Sequence, residues 1–190
     1  MATSDTIETP RLTIEPFGEH HLTEHYVSWL NDPRVVQFSD QRFRTHTTAS
    51  CRDYWETFRS SPHYFWAIMR RDKGEVHVGT MTAYVEERHS VADVGILIGD
   101  ARAWGNGYAT EAWSAICDYL FRRTGLRKVS AGTIEPNIGM IRVMEKAGMI
   151  EDGKRRRQLL WNGREVDVVH KALFRESWLQ QHPQAPFERR

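Results

Sequence analysis

Apolar and polar residues change rhythm several times along the chain, and each rhythm predicts an element. Residues 11–15, RLTIE, alternate as a short half-buried strand does. Leu22, Tyr26, Trp29 and Leu30 recur at helical spacing and predict a helix over 18–31, stopping at Asn31-Asp32-Pro33 because the residue before proline avoids the helical region. Thr45–Ser60 predicts a second helix, ended by Ser61-Pro62. Residues 63–70, 76–85 and 91–99 are rich in β-branched and aromatic side chains and predict an antiparallel meander. Gly105–Arg123 is the strongest helical pattern, with Ala109, Ala112, Trp113, Ile116, Tyr119 and Leu120 on one face and Gly125 as a stop. A strand at 128–134 and a helix from Asn137 to Lys146, ended by Gly148, follow. Asn162-Gly163 then predicts a tight hairpin between strands near 152–160 and 165–174, and the tail from Gln180 reads as a loose end.

The 190 residues show no repeat and no linker, so the expectation is one domain with a core over about 8–178 and a tail at 179–190. Net charge is +1, from 26 basic and 25 acidic side chains, which argues against a general nucleic-acid binder. No apolar run approaches the roughly 18 residues of a membrane span, and no basic segment precedes an apolar stretch at the N-terminus. The expected setting is cytoplasmic, without membrane or nucleic-acid partners. Cys51 and Cys117 are far apart and form neither a disulfide framework nor a CxxC pattern. None of the nine histidines sits in HExxH spacing, and His20-His21, read as neighbours on a helix, point apart, so no metal is expected.

The stretch RAWGNGYATEA, Arg102 to Ala112, sets two glycines in front of the long helix. A helix N-terminus gathers unpaired N–H groups and the positive end of the helix dipole, and glycines let a phosphate approach that backbone. Arg102 is placed to add a charged contact. A glycine turn without a ligand is the plain alternative. A dinucleotide fits poorly, because only two of the three fingerprint glycines are present and Gly105 lies several residues past the preceding strand, although Glu135 ends the next one. Gly148–Arg155 nearly spells a nucleoside-triphosphate loop, but Arg155 has no hydroxyl for magnesium and the stretch follows a helix. Coenzyme A, with a pyrophosphate of its own, is the third candidate.

The residues Arg102, Gly105 and Gly107 fit the [QR]-x-x-G-x-[GA] pattern, and the whole stretch resembles the GNAT N-acetyltransferase superfamily, in its RimJ/RimL-type branch. Three further segments resemble that branch in the expected order: residues 8–17, 29–35 and 137–149. The resemblance implies an α/β (α+β) fold: a mixed sheet of about seven strands, splayed between its fourth and fifth, with about four helices. It implies acetyl-CoA in the gap, pairing with the edge of Val94–Ile98 and facing 128–134, with Ile96, Leu97, Ile98, Arg102, Gly105, Asn106, Gly107, Tyr108, Ala109, Thr110 and Asn137 as its binding residues. It implies direct attack of a primary amine on the thioester, the acceptor being a small molecule such as an amino sugar, or a peptide N-terminus. Oligomeric state is left between monomer and homodimer.

Asp93 stands where relatives often carry a glutamate and is the expected base, with N–H groups around Val94–Ile96 as oxyanion donors. The position of the relatives' tyrosine acid holds Met144, and that of a branch serine holds Met140; neither side chain donates a proton. These two methionines also keep a non-catalytic acyl-CoA-binding relative in view. Asn137 either bonds the cofactor or caps its helix, Gly95 marks a bulge, a close approach or plain packing, Trp104 is a lid or a packing residue, and Glu111 reads as a surface or packing carboxylate. Arg155-Arg156-Arg157 lies on a strand with Arg156 facing opposite its neighbours, either solvated or recognising an anion. Trp161 and Asp167 are placed to shape an acceptor pocket.

Overall fold

The computed structural model describes residues 5–72, 74–184 and 188–189. Its described strands form one sheet, in the order β7-β8-β6-β5-β4-β3-β2-β1-β9. In chain order they are β1 (Ile7–Glu8), β2 (Leu12–Pro16), β3 (Tyr64–Arg70), β4 (Val76–Glu86), β5 (Val91–Ile98), β6 (Lys128–Ile134), β7 (Ile150–Trp161), β8 (Arg164–Phe174) and β9 (Glu188–Arg189). The helices are α1 (Glu24–Leu30), α2 (Pro33–Val36), α3 (Thr48–Arg59), α4 (Tyr108–Arg123), α5 (Ile138–Lys146) and α6 (Arg175–Gln181). β3 to β5 are the expected antiparallel meander, which β2 extends by one strand, and among the described strands β5 to β6 is the one parallel pairing, its crossover made by α4.

Two apolar layers fix the elements. Ala112, Trp113, Ile116 and Leu120 of α4 are fully buried against one face of the sheet, with Trp66, Ile68, Met81 and Val129. On the other face, Tyr26 and Trp29 of α1 and Cys51 and Phe58 of α3 cluster with Phe17 and Phe65. The helical and strand periods of the sequence therefore serve two different layers on one sheet.

The structure differs from the sequence expectations at several termini. The stretch 18–31 is not one helix: Glu19–His21 is a 3-10 turn, and α1 starts only after Thr23, whose hydroxyl accepts from Tyr26 N–H. Pro33 opens the unforeseen α2, at the first-turn position where a missing N–H costs nothing, with Asp32 as its cap. The tail is less loose than expected. α6 runs to Gln181 and Glu188–Arg189 pairs with β1, while residues 185–187 and 190 lie outside the described residues. The two-residue strands at that edge raise the strand count above seven, so the splay falls between β5 and β6 by chain-order numbering. The hairpin turn is as expected, with Asn162 at φ 49° and Gly163 at φ 73°.

The arginine run departs from simple alternation. Between Arg155 and Leu159, β7 slips against β8, and Arg157 takes φ 51°. Its N–H donates to Asp167 Oδ1 at 2.8 Å, which pins the bulge. Arg155, Arg156 and Arg157 are all exposed, as are the residues of β7 before them.

Candidate active site

β5 and β6 run side by side for only three pairs, Val91–Lys128, Ala92–Val129 and Asp93–Ser130. Beyond them β6 stays with β8, and β5 stays with β4 to Ile98, so the sheet opens between them. A cavity of about 470 Å³ fills the opening. It is lined by Val94–Ile98, by Gly132 and Thr133, by Asn137, Gly139 and Met140 of the α5 region, by Trp104, and by residues around α2 from Arg34 to Ser39. A larger hollow of about 920 Å³ at the other end of the sheet, beside Ser60–Pro62 and Arg123, is open, polar and remote from the split.

Ile96, Leu97 and Ile98 thus lie together on the cavity wall. Ala92 O accepts from Ser130 Oγ at 3.3 Å and Ile98 O from Trp104 Nε1 at 2.7 Å. Backbone groups alternate sides along a strand, so the even-numbered residues of β5 face the β6 side and Ile96 N–H is aimed into the gap. Gly95 carries no bulge, since the β4–β5 register is unbroken there; a Cβ would stand 3.2 Å from Thr82 Oγ1.

The glycine loop leads from the cavity into α4. Gly105 (φ 74°) and Gly107 (φ 81°) take left-handed conformations, which glycine adopts at no steric cost. Gly107 caps α4, and the first helical bond runs from Glu111 N–H to Gly107 O, so the N–H groups of Tyr108, Ala109 and Thr110 form the helix's open end. Asn106 closes the turn by donating from Nδ2 to Arg102 O and Trp104 O. The Tyr108 side chain points away from the loop, buried, with its hydroxyl on Asp72 at 2.7 Å. Arg102 is forked onto Asp100, with bonds of 3.0 Å from both Nε and Nη2.

Sequence reasoning did not find what holds this loop. Arg11 donates from Nη1 to Asn106 O at 2.8 Å, lies 4.7 Å over the Tyr108 ring, and pairs with Glu111 at 2.7 Å. Glu111 also accepts from Thr9 Oγ1 and Arg11 N–H, so it is a packing carboxylate that ties the start of α4 to the segment before β2. Partners about 100 residues apart leave no local spacing signal.

Asp93 sits at the point where the sheet opens. Its Oδ2 accepts from Ser130 Oγ at 3.1 Å. The side chain reaches solvent on one side and is crowded by protein on the others. That crowding raises the carboxyl above its ordinary value, against the Ser130 hydrogen bond and the neighbouring His170, which pull it down. Asn137 caps its helix, Oδ1 accepting from Met140 N–H at 3.2 Å, while Nδ2 donates to Thr133 Oγ1 at 3.0 Å and the residue lies on the cavity wall. Met144 is fully buried in the core, whereas Met140 lines the cavity. Trp161 donates to Gln37 O at 3.0 Å and stacks on Phe38, a cavity residue, so the β7–β8 hairpin braces that wall. Asp167 faces the bulge and Lys154 instead of the cavity.

His20 and His21 do not point apart. On the 3-10 turn their rings lie 3.8 Å apart and both face Glu15 Oε1. His21 nevertheless suits a metal poorly. Its Nδ1 accepts from Gly18 N–H, so its proton sits on Nε2, the nitrogen a metal would need bare.

Comparison with known proteins agrees with this fold. Residues 11–150 match the family model described as an acetyltransferase (GNAT) domain. An uncharacterized N-acetyltransferase of Bacillus subtilis, YoaA, is 31% identical over 165 residues, 85% of this chain and 92% of that protein. Among solved structures, a spermidine N-acetyltransferase from Vibrio cholerae in complex with CoA and spermine has a TM-score of 0.80 at 16% identity, covering 90% of this chain and 99% of that one. A ribosomal-protein-S5-alanine acetyltransferase from Vibrio fischeri gives 0.77 at 15% identity, covering 92% and 99%.

Proposed function

Since the chain belongs to the GNAT acetyltransferase family, we propose that it moves an acetyl group from acetyl-CoA to the primary amine of a small molecule. The observation that carries this reading is the opening itself: β5 parts from β6 just past Asp93, its stretch Val94–Ile98 lines the cavity that results, and Trp104 on that wall begins the loop that leads to the open end of α4. The residues fit the cofactor. The backbone of Gly105–Thr110 offers N–H groups to a diphosphate, and Ile96–Ile98 offers a strand edge to amide groups. Acetyl-CoA supplies an activated acyl group there.

This chain's residues do the rest. Asp93, raised by its surroundings, accepts a proton from the amine. Ile96 N–H is the backbone donor for the carbonyl oxygen as it gains charge. Met140 and Met144 cannot protonate the departing sulfur, but a thiol with an ordinary pKa of about 8.5 leaves tolerably as thiolate. The cavity lining has one charged side chain, Arg34, and no carboxylate among the described residues. It therefore suits an amine without further positive charges, an amino sugar for example, better than a polyamine. Thiol release from acetyl-CoA, measured across a panel of amino sugars, other monoamines, polyamines and N-terminal peptides, tests this. Turnover highest with a monoamine supports it. Saturable CoA binding with no release from any amine would leave a non-catalytic acyl-CoA-binding module.

A further inference from the structure

An amine that enters as ammonium must shed two protons to end as an amide N–H. One leaves before attack, because the nitrogen needs its electron pair; the other leaves as the N–C bond forms and the C–S bond breaks, the sulfur keeping that pair. A single carboxylate holds one proton at a time. Resting on the transferase reading, we propose that His170 is the second proton acceptor of the site, working beside Asp93.

Four observations converge on it. His170 on β8 pairs in register with Gly132 of β6, so its side chain leaves the sheet on the face of Gly132 and of Ser130, two residues earlier. Ser130 is paired with Asp93 and bonded to its carboxylate, which puts Asp93, Ser130 and His170 on one face at the sheet's opening. The ring is seated by a missing side chain: a Cβ on Gly132 would come within 2.9 Å of both Cε1 and Nδ1. And His170 Nε2 is buried with no hydrogen-bond partner among the described residues. An orphaned buried nitrogen costs free energy that a substrate or a bridging water would relieve. Close to Asp93, the ring also acts on the charge of that carboxylate.

The two protons then divide as follows. His170 Nε2 takes the first from the bound ammonium through a bridging water and releases it by the same route. Asp93 takes the second as the nitrogen joins the acyl carbon, and returns it to the thiolate. The sum is one amide, one thiol and one proton released.

The test is His170→Ala, whose shortened side chain leaves room for a free imidazole over Gly132, together with His170→Gln, which fills the space without titrating. Turnover at saturating acetyl-CoA and amine is expected to fall about 10²-fold in both, the usual scale of general base catalysis. Acetyl-CoA affinity by calorimetry should stay within about twofold. Added imidazole should restore the Ala variant at least tenfold and leave the Gln variant slow. Wild-type turnover in the Gln variant, or an Ala variant that imidazole does not rescue, would overturn the assignment while leaving the transferase reading intact. A wild-type chain that binds acetyl-CoA yet acetylates no amine would overturn both.

Discussion

At the scale of single residues, Asp93 joins stability to chemistry. Crowding makes the folded protein hold that proton to higher pH than the unfolded chain does. The stability this adds is present below the ordinary carboxylate range and lost as pH rises through the raised value, so at neutral pH the charge is a cost to folding. Asp93→Asn is therefore expected to lower kcat about 10²-fold while acetyl-CoA affinity is unchanged and the melting temperature is equal or higher. A variant that melts lower and turns over normally would show that the carboxylate only holds β5 to β6 through Ser130. The same scale shows what a sequence hides. Asp93 was singled out because it stands where relatives often carry a glutamate, two residues before Gly95. His170 was not, because its distinction is the bare Cα across from it on another strand. Arg11 was hidden for a similar reason, its partners Asn106 and Glu111 lying far along the chain.

At the scale of elements, two units can be perturbed separately. The N-terminus of α4 is the diphosphate subsite of the proposal, and Gly107→Glu puts a carboxylate there in a conformation that L residues adopt only with strain. The Cβ has ordinary room, 3.4 Å from Arg11 Nη2, so the chain should fold and acetyl-CoA affinity should drop at least thirtyfold. Calorimetry showing unchanged affinity would move the subsite elsewhere. The β7–β8 hairpin is the other unit. Trp161 is its tie to the segment after α2, so Trp161→Ala should raise KM for the amine several-fold and leave acetyl-CoA affinity alone. Equal amine KM would mean that the hairpin only packs. The helices, the meander and the Asn-Gly turn were readable because each is set by local periodicity or φ preference. The division of 18–31 was not, because the apolar spacing of Leu22 with Tyr26 and Trp29 runs on through a break that Thr23 makes as a cap. The β7 bulge was equally hidden, since it depends on Asp167 ten residues later.

At the scale of the whole molecule, the layer that carries α1 and α3 against the sheet contains ionisable groups the chemistry does not use, and they set its acid limit. His77 Nε2 donates to Gly79 O at 3.0 Å, and the ring is surrounded by Phe17, His21, Tyr26 and Trp29. Burial, with His21 adding to it, depresses His77 from 6.5 to about 3. His21 is lowered for the same two kinds of reason, burial first and then the His20 beside it. Both rings are thus neutral in the folded chain and take protons readily in the unfolded one. Their contribution is fully present above the ordinary histidine value and is lost as pH falls from there toward the depressed one. For His77 alone this amounts to about 1.4 kcal/mol per pH unit, or about 2 kcal/mol between the ordinary value and pH 5. That is a sizeable part of the 5–15 kcal/mol that typically separates folded from unfolded. Urea unfolding of the full chain at pH 7, 6 and 5 should show stability falling across that range, and His77→Leu should flatten the slope by about one proton whatever it does to stability at pH 7. Parallel slopes for the two proteins would mean that His77 titrates normally and that the α1–α3 layer is open to water. The acid sensitivity resides in the layer on the Asp93 face of the sheet, so acid should loosen the acceptor side while α4, packed on the other face, still holds acetyl-CoA. Affinity for acetyl-CoA is expected to outlast turnover as pH falls from 7 to 5, and a parallel loss of both would place the weak layer on the α4 side instead.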